Sequence, residues 1–352
     1  MRNSEGIIII EMRPYQLSTS ADLLNILLKY ASDLGMDEPT LLSESGADLS
    51  TYRLNDERIP AREFNAIWSF IVQQSNDRDF GLHFGERSHA MLSRHLLYAL
   101  MMKCENVELA IRKNFQYHNL VTDIIRPGLK VEGSLVYLTW EMGHPPLVPD
   151  RHLSESVLAL FVSMLRYLTG DQFKLTEIRF AHRSPESTAE HERIFQAPLV
   201  FSQKRNEIVF SKSYLANSIL LANQQTMADL EQLVQRVLHR AYEQNSWNEK
   251  IAQLLFKALV EEERADIETI AGHLAMTVRT LQIKLKEEGT SFRKLQDEIR
   301  KQLAIGYLKD GNDSICEIAL LLGFADQSAF HHAFKRWTGK TPGEYRKFKF
   351  AE

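Results

Sequence analysis

Cysteine is nearly absent from this 352-residue chain: Cys104 and Cys316 lie far apart and form no C-x-x-C pair. Neither a disulfide framework nor a zinc knuckle is therefore expected. Long apolar runs are missing too. The aliphatic stretch Ile7–Ile10 stops at Glu11, too short for a membrane span or a signal-peptide core, and reads as a strand. Together these absences point to a reducing cytoplasm and away from a membrane.

Catalytic signatures are equally scarce. The chain has no G-x-x-x-x-G-K-[ST] loop and no G-x-G-x-x-G fingerprint to cradle a phosphate. His83, His89, His95 and His118 show no H-E-x-x-H spacing and have no companion cysteine, so they read as helix-face histidines and no metal is expected. Cys104 sits in "MMKCENVELA", a helical pattern without a sharp Gly-flanked elbow, which speaks against a nucleophile. An enzyme and a bound cofactor are not expected.

What the chain does contain is ordinary in total and uneven in distribution. With 44% hydrophobic and 25% charged residues, two or three folded domains are expected. Its formal charge of -4 hides an asymmetry: 17 basic against 15 acidic side chains from Glu249 to Phe350, and 25 against 31 elsewhere. Arg279, Lys284 and Lys286 share one stretch, and Lys335, Arg336, Lys340, Arg346, Lys347 and Lys349 crowd the end. Local basic grouping of this kind is the footprint of a nucleic-acid partner.

The first part mixes helical and strand periods. "ADLLNILLKYASDLG" spaces its apolar residues by three and four up to Gly35, and "PAREFNAIWSFIVQQSN" does so from Pro60, with Phe64, Ile67, Trp68 and Ile71 on one face. "GLKVEGSLVYLTWEM" alternates around Val131, Leu135, Tyr137 and Trp140, with Gly128 and Gly133 as turn signals, and predicts a hairpin. A long helix in "HLSESVLALFVSMLRYL" and strands in "KLTEIRFAH" and "NEIVFSKSYL" complete an α+β region. In "ANQQTMADLEQLVQRVLHRAY", Met227, Leu230, Val234 and Val237 form an apolar seam that suits either a dimerisation helix or a helix packed on its own domain. The polar "EQNSWNE" that follows reads as a linker.

The C-terminal part contains one pattern twice. Ile270, Ala271, Leu274 and Met276 align with Ile318, Ala319, Leu322 and Phe324 at a constant offset. With single-residue insertions, Leu281, Leu285, Lys286 and Gly289 align with Phe330, Phe334, Lys335 and Gly339. Each copy reads as helix, tight turn, helix. Thr277 and Asp326 can cap the second helices, Ser314 and Glu317 have capping-box spacing, and Gly323 supplies a turn. "FRKLQDEIRKQLAIGYLKDG" joins the copies as a helix of some 15 residues, about 23 Å long, closing at Gly311. That spacing would bring two recognition helices to about 34 Å, one turn of duplex. One such hairpin is common in ordinary cores; two related ones with polar outer faces are not.

The stretch "IALLLGFADQSAFHHAFKRWTGKTPGEYR", supported by "AMTVRTLQIKLKEEG", resembles the AraC/XylS transcription regulators over about residues 247–348. "RLNDERIP", "DFGLHFGE" and "HERIFQAPLVFSQKRNEIVF" resemble the ligand-binding domain of one subgroup of that family, named for arabinose binding. The resemblance implies an α+β ligand-binding and dimerisation domain over residues 1–241, a linker at 242–248, and an all-α DNA-binding domain with two helix-turn-helix motifs over 249–350. It further implies a homodimer on double-stranded DNA, a small-molecule effector, and contact with RNA polymerase if the protein is an activator. A domain that only oligomerises is the alternative.

By position, base reading falls to Arg279, Gln282 and Ile283 in the first unit and to Gln327, Ser328, His331 and His332 in the second; phosphate contact falls to Lys286, Lys335 and Arg336. Family members often carry Arg where this chain has Ile283 and His332. An isoleucine cannot donate to guanine but can touch a thymine methyl, so an A·T step is expected opposite Ile283. No pocket residue is named by the sequence.

Overall fold

A computed structural model describes residues 18–48, 58–92, 95–142, 151–170, 173–244, 246–260, 264–310 and 313–349. They fall into two compact units divided between Ala241 and Tyr242. The strand expected at Ile7–Ile10, most of "RLNDERIP" and Gly311 lie outside the described residues.

The first unit opens with β1 (Ser18–Ser20), α1 (Ala21–Asp33), α2 (Glu38–Glu44), β2 (Arg58–Pro60) and α3 (Ala61–Ser75), with β1 and β2 paired antiparallel. Ser20 caps α1 by accepting from the Leu23 N–H at 3.2 Å. Pro60, expected inside the first turn of its helix, stands one place earlier, at the N-cap with ψ 140°, and Ala61 starts the helix. Helices α4 (Phe80–Leu92), α5 (Leu96–Met101) and α6 (Val107–Tyr117) follow. Cys104 lies in the turn between α5 and α6 rather than within a helix; burial pushes its thiol up to about 11, so it is an inert core residue.

Next come β3 (Ile125–Glu132), β4 (Leu135–Met142), α7 (Arg151–Thr169), β5 (Leu175–Arg179), α8 (Ala189–Phe195), β6 (Leu199–Val200), β7 (Asn206–Ser211) and α9 (Gln224–Gln244). The sheet runs β3-β4-β7-β5-β6, antiparallel except for β5 with β6. The hairpin turns at Gly133 as expected, with φ 58°. Its phase differs from the expectation: Val136, Leu138 and Trp140 face the core, while Val131 is exposed. Trp140 is in phase with the even-numbered residues, and Tyr137 on the other face lies under the Arg179 guanidinium at 5.4 Å. Gly128, expected at a turn, sits inside β3 opposite Thr139, whose Oγ1 would lie 2.4 Å from an added Cβ.

Helix α7 is the spine of this unit, with Leu158, Ala159, Val162 and Leu165 fully buried. Helix α4 lies against it at unusually short range. A Cβ on Gly81 would meet the His152 carbonyl oxygen at 2.0 Å, and one on Gly85 the Ser156 carbonyl oxygen at 2.2 Å. Two glycines one helical turn apart thus let the two backbones touch, which is the physical content of "DFGLHFGE". Glu155 of α7 is fully buried, accepting from Arg151 Nε and His191 Nε2, both at 2.7 Å. Burial alone would raise its carboxyl, but those two donors outweigh burial and hold it below the usual range.

Of the two uses open for the α9 seam, the structure displays packing on its own domain. Val234 is fully buried there, and Met227 and Leu230 pack beside it. Glu231 fastens the helix to α6 through Lys113 and through the Tyr117 hydroxyl at 2.6 Å.

The second unit is all helical: α10 (Trp247–Val260), α11 (Ile267–His273), α12 (Val278–Glu287), α13 (Phe292–Asp310), α14 (Ile315–Leu321), α15 (Gln327–Thr338) and α16 (Pro342–Lys349). The break between α9 and α10 is confined to residues 245–246. The connector α13 has 19 residues, longer than expected, and spans roughly 28 Å. Its Leu295, Ile299, Leu303 and Tyr307 share one core with Leu281, Leu285, Phe330 and Phe334.

Candidate nucleic-acid interface and ligand cavity

The two helix-turn-helix units are built on the same backbone turn. After α11, the Met276 N–H donates to the Ala271 carbonyl at 3.0 Å, and Ala275 takes φ 51°. After α14, the Phe324 N–H donates to the Ala319 carbonyl at 2.9 Å, and Gly323 takes φ 69°. Both are left-handed closures with a bond from six residues back to one, so Ala275 occupies a position that favours glycine. The N-caps also correspond: Thr277 Oγ1 accepts from the Thr280 N–H at 3.1 Å, and Asp326 Oδ1 from the Ala329 N–H at 2.8 Å. Ser314 and Glu317 complete the expected capping box on α14.

These turns fix which face of each second helix meets solvent. On α12, Leu281 and Leu285 are fully buried while Arg279, Gln282, Ile283 and Lys286 are exposed. On α15, Phe330 and Phe334 are fully buried, and Gln327, Ser328, His332, Lys335 and Arg336 are exposed. His331 differs from the other named residues: it is half-buried, with Nε2 shielded and without a hydrogen-bond partner.

Several basic groups are used internally. Arg336 bonds to Asp297 of α13 at 2.8 Å, and Arg346 donates to the Asp313 carbonyl at 2.6 Å. Lys284 lies over the Trp247 ring at 4.1 Å, with Lys250 over the same ring at 4.8 Å. The Glu288 carboxylate accepts from the Trp247 and Asn248 N–H groups at 2.7 and 2.8 Å, so the start of α10 is fastened to the end of α12. Arg300 supports the second turn, donating to the Gly323 carbonyl at 3.1 Å and stacking over Phe324 at 4.8 Å. Burial holds its guanidinium below the ordinary value. Sequence spacing revealed none of these partners, which come together only through tertiary packing.

The division of each second helix into a packed apolar stripe and an exposed polar one is that of DNA-reading helices. Sequence comparison agrees. Residues 35–219 match the arabinose-binding domain of AraC transcription regulators, and residues 270–347 match a helix-turn-helix domain. The chain is an AraC/XylS-type transcriptional regulator.

This regulator is 25% identical over 320 residues to the ornithine utilization regulator of Pseudomonas aeruginosa, covering 91% of this chain and 94% of that one. It is also 25% identical over 290 residues to the transcriptional regulator VqsM of the same organism, covering 80% and 88%. The crystal structure of the regulator CdpR, again from P. aeruginosa, superposes with a TM-score of 0.40 at 23% identity, covering 89% of this chain and 98% of that one.

The arabinose-binding-type domain of this regulator encloses a cavity of about 100 Å³ between α1, α3, α4, α6, α7 and the hairpin of β3 and β4. Phe64, Trp68, Phe84, Trp140 and Phe161 form much of its wall, and none of its lining residues is Asp, Glu, Lys or Arg. A second cavity of about 150 Å³, with Met101, Met102 and Met164 in its wall, shares Tyr98 with the first. Among the described residues, no group of three or more His, Cys, Asp and Glu side chains could hold a metal ion, and no helix is long and apolar enough to cross a membrane.

Proposed function

We propose that this AraC/XylS-type regulator acts as a homodimeric, effector-responsive activator in the cytoplasm, each protomer setting α12 and α15 into successive major grooves. Arg279, Gln282 and Ile283 read bases in one groove, and Gln327, Ser328, His331 and His332 in the next. Lys286 and Lys335 contact phosphate directly. Arg336 does so by exchanging its bond to Asp297 for one to DNA. The observation that carries this reading is the repetition: two units with matching turns and caps expose matching polar faces from one shared core.

The effector would occupy the cavity beside α7, and its presence favours a sensing domain over one that only oligomerises. Binding there would bias how the DNA-binding units are held, or free a surface for RNA polymerase, to the extent that the effector prefers one state. Because the α9 seam is occupied within its own domain, dimerisation would use other surfaces or the solvent side of that helix.

The test is genome-wide DNA binding by the tagged protein, followed by titration of recovered sites at two salt concentrations. Discrete sites with half-sites about 10 base pairs apart are expected. Diffuse binding that disappears with modest salt would mean that the two units grip only backbone.

A further inference from the structure

The chemistry of the cavity restricts what it accepts, and this inference rests on the effector reading above. No lining residue carries a carboxylate, ammonium or guanidinium. A charged ligand would therefore lose its hydration with no opposite charge to meet it. An amino acid with two amino groups or a free carboxylate is a poor fit. Aromatic rings and aliphatic side chains instead offer area to a hydrocarbon body.

The few polar groups are already committed in one direction. Ser88 Oγ donates to the Gly85 carbonyl at 3.2 Å, and Ser156 Oγ to the Leu153 carbonyl at 2.8 Å. His118 Nδ1 donates to the Phe115 carbonyl at 2.8 Å, so the neutral ring keeps its hydrogen there. Asn114 Nδ2 lies 3.3 Å from Met101 Sδ. What Ser88, Ser156 and the His118 Nε2 have left to offer is a lone pair. A ligand that brings its own O–H or N–H satisfies them, whereas one bearing only a carbonyl or ether oxygen leaves acceptor against acceptor.

Size agrees with a small molecule. A dry cavity of about 150 Å³ holds a benzene ring, and here about 100 Å³ adjoins a second cavity of about 150 Å³ across Tyr98. We infer that this cavity binds an uncharged, mostly aromatic or hydrocarbon molecule carrying one hydrogen-bond donor, such as a phenol, an indole or a short alcohol.

The experiment is calorimetric titration of the full chain with 4-methylphenol, indole and benzyl alcohol, against 4-methylanisole, 4-methylbenzoate and 4-methylbenzylamine. Saturable binding is expected for at least one uncharged donor, with 4-methylanisole at least about tenfold weaker than 4-methylphenol and no saturation by the two ions. Val157→Phe, which fills the cavity, should abolish binding. Because that variant could disturb packing, Ser156→Ala is measured alongside; it should shrink the preference for 4-methylphenol over 4-methylanisole while leaving the fold intact.

Failure of all three donors to bind, equal binding of the ions, or undiminished binding by a folded Val157→Phe variant would overturn the assignment. DNA affinity with and without the bound probe separates the two readings. Saturable, Val157-sensitive binding that leaves DNA affinity unchanged supports the cavity assignment and contradicts the sensor reading.

Discussion

Arg279 and Lys335 are both exposed cations on second helices, yet their expected roles differ in kind. Arg279→Ala should cost about 1 to 3 kcal/mol on the preferred site and relax discrimination at one base pair. Lys335→Ala should weaken all sequences alike and lower the slope of log affinity against log salt by about one. Equilibrium binding to a set of singly substituted sites separates the two; equal losses on every base for Arg279→Ala would contradict its role. The turn residues offer a second contrast. Gly323 at φ 69° and Ala275 at φ 51° hold equivalent places, so Gly323→Ala should cost about 1 kcal/mol, whereas Ala275→Gly should be neutral or stabilising. Chemical denaturation of both variants checks this. Glu155 carries a pH prediction. Its folded carboxyl is held below the usual range, so its stabilisation is present above the ordinary carboxylate value and lost as pH falls through the folded value. Glu155→Gln should destabilise by about 3 kcal/mol at pH 7, and by progressively less as pH falls below about 4.5. Urea unfolding at both pH values would contradict this if the gap stayed constant.

At the scale of elements, α4 against α7 is the most constrained contact. Gly85→Ala must displace a carbonyl oxygen that its Cβ would meet at 2.2 Å. A loss of about 1 to 3 kcal/mol or more is expected, seen as an earlier thermal transition of the arabinose-binding-type domain. The secondary structure was legible from period and punctuation: Phe64, Ile67, Trp68 and Ile71 were placed on one buried face, and Leu295, Ile299, Leu303 and Tyr307 on another. The hairpin was legible as a hairpin but not in its phase. Apolar residues stand on both of its faces, and only tertiary packing makes Val136, Leu138 and Trp140 the buried set. Likewise the α9 seam satisfied two readings at once, because an apolar stripe states that it is covered and not by what. The cavity was not legible at all. Its wall is assembled from segments between Leu23 and Phe161 that have no common local pattern.

For the whole molecule, the repeated units and the cavity describe a reader and a sensor joined by a break of two residues between α9 and α10. The start of α10 is tied to α12 by Glu288 and by Lys284 over Trp247, so the segment after the break is mechanically attached to a DNA-reading helix. Glu288→Gln should therefore alter how strongly an effector changes DNA affinity more than it alters affinity without effector. Titrations of a recovered operator with and without effector measure that coupling. One measurement bears on the reader itself: affinity of the full chain for an operator substituted at every position, repeated with Arg279→Ala and with Gln327→Ala. Two clusters of sensitive base pairs about 10 apart are expected, with Arg279→Ala erasing sensitivity within one cluster and Gln327→Ala within the other. A single cluster, or losses spread evenly over all positions, would contradict two base-reading helices in successive grooves.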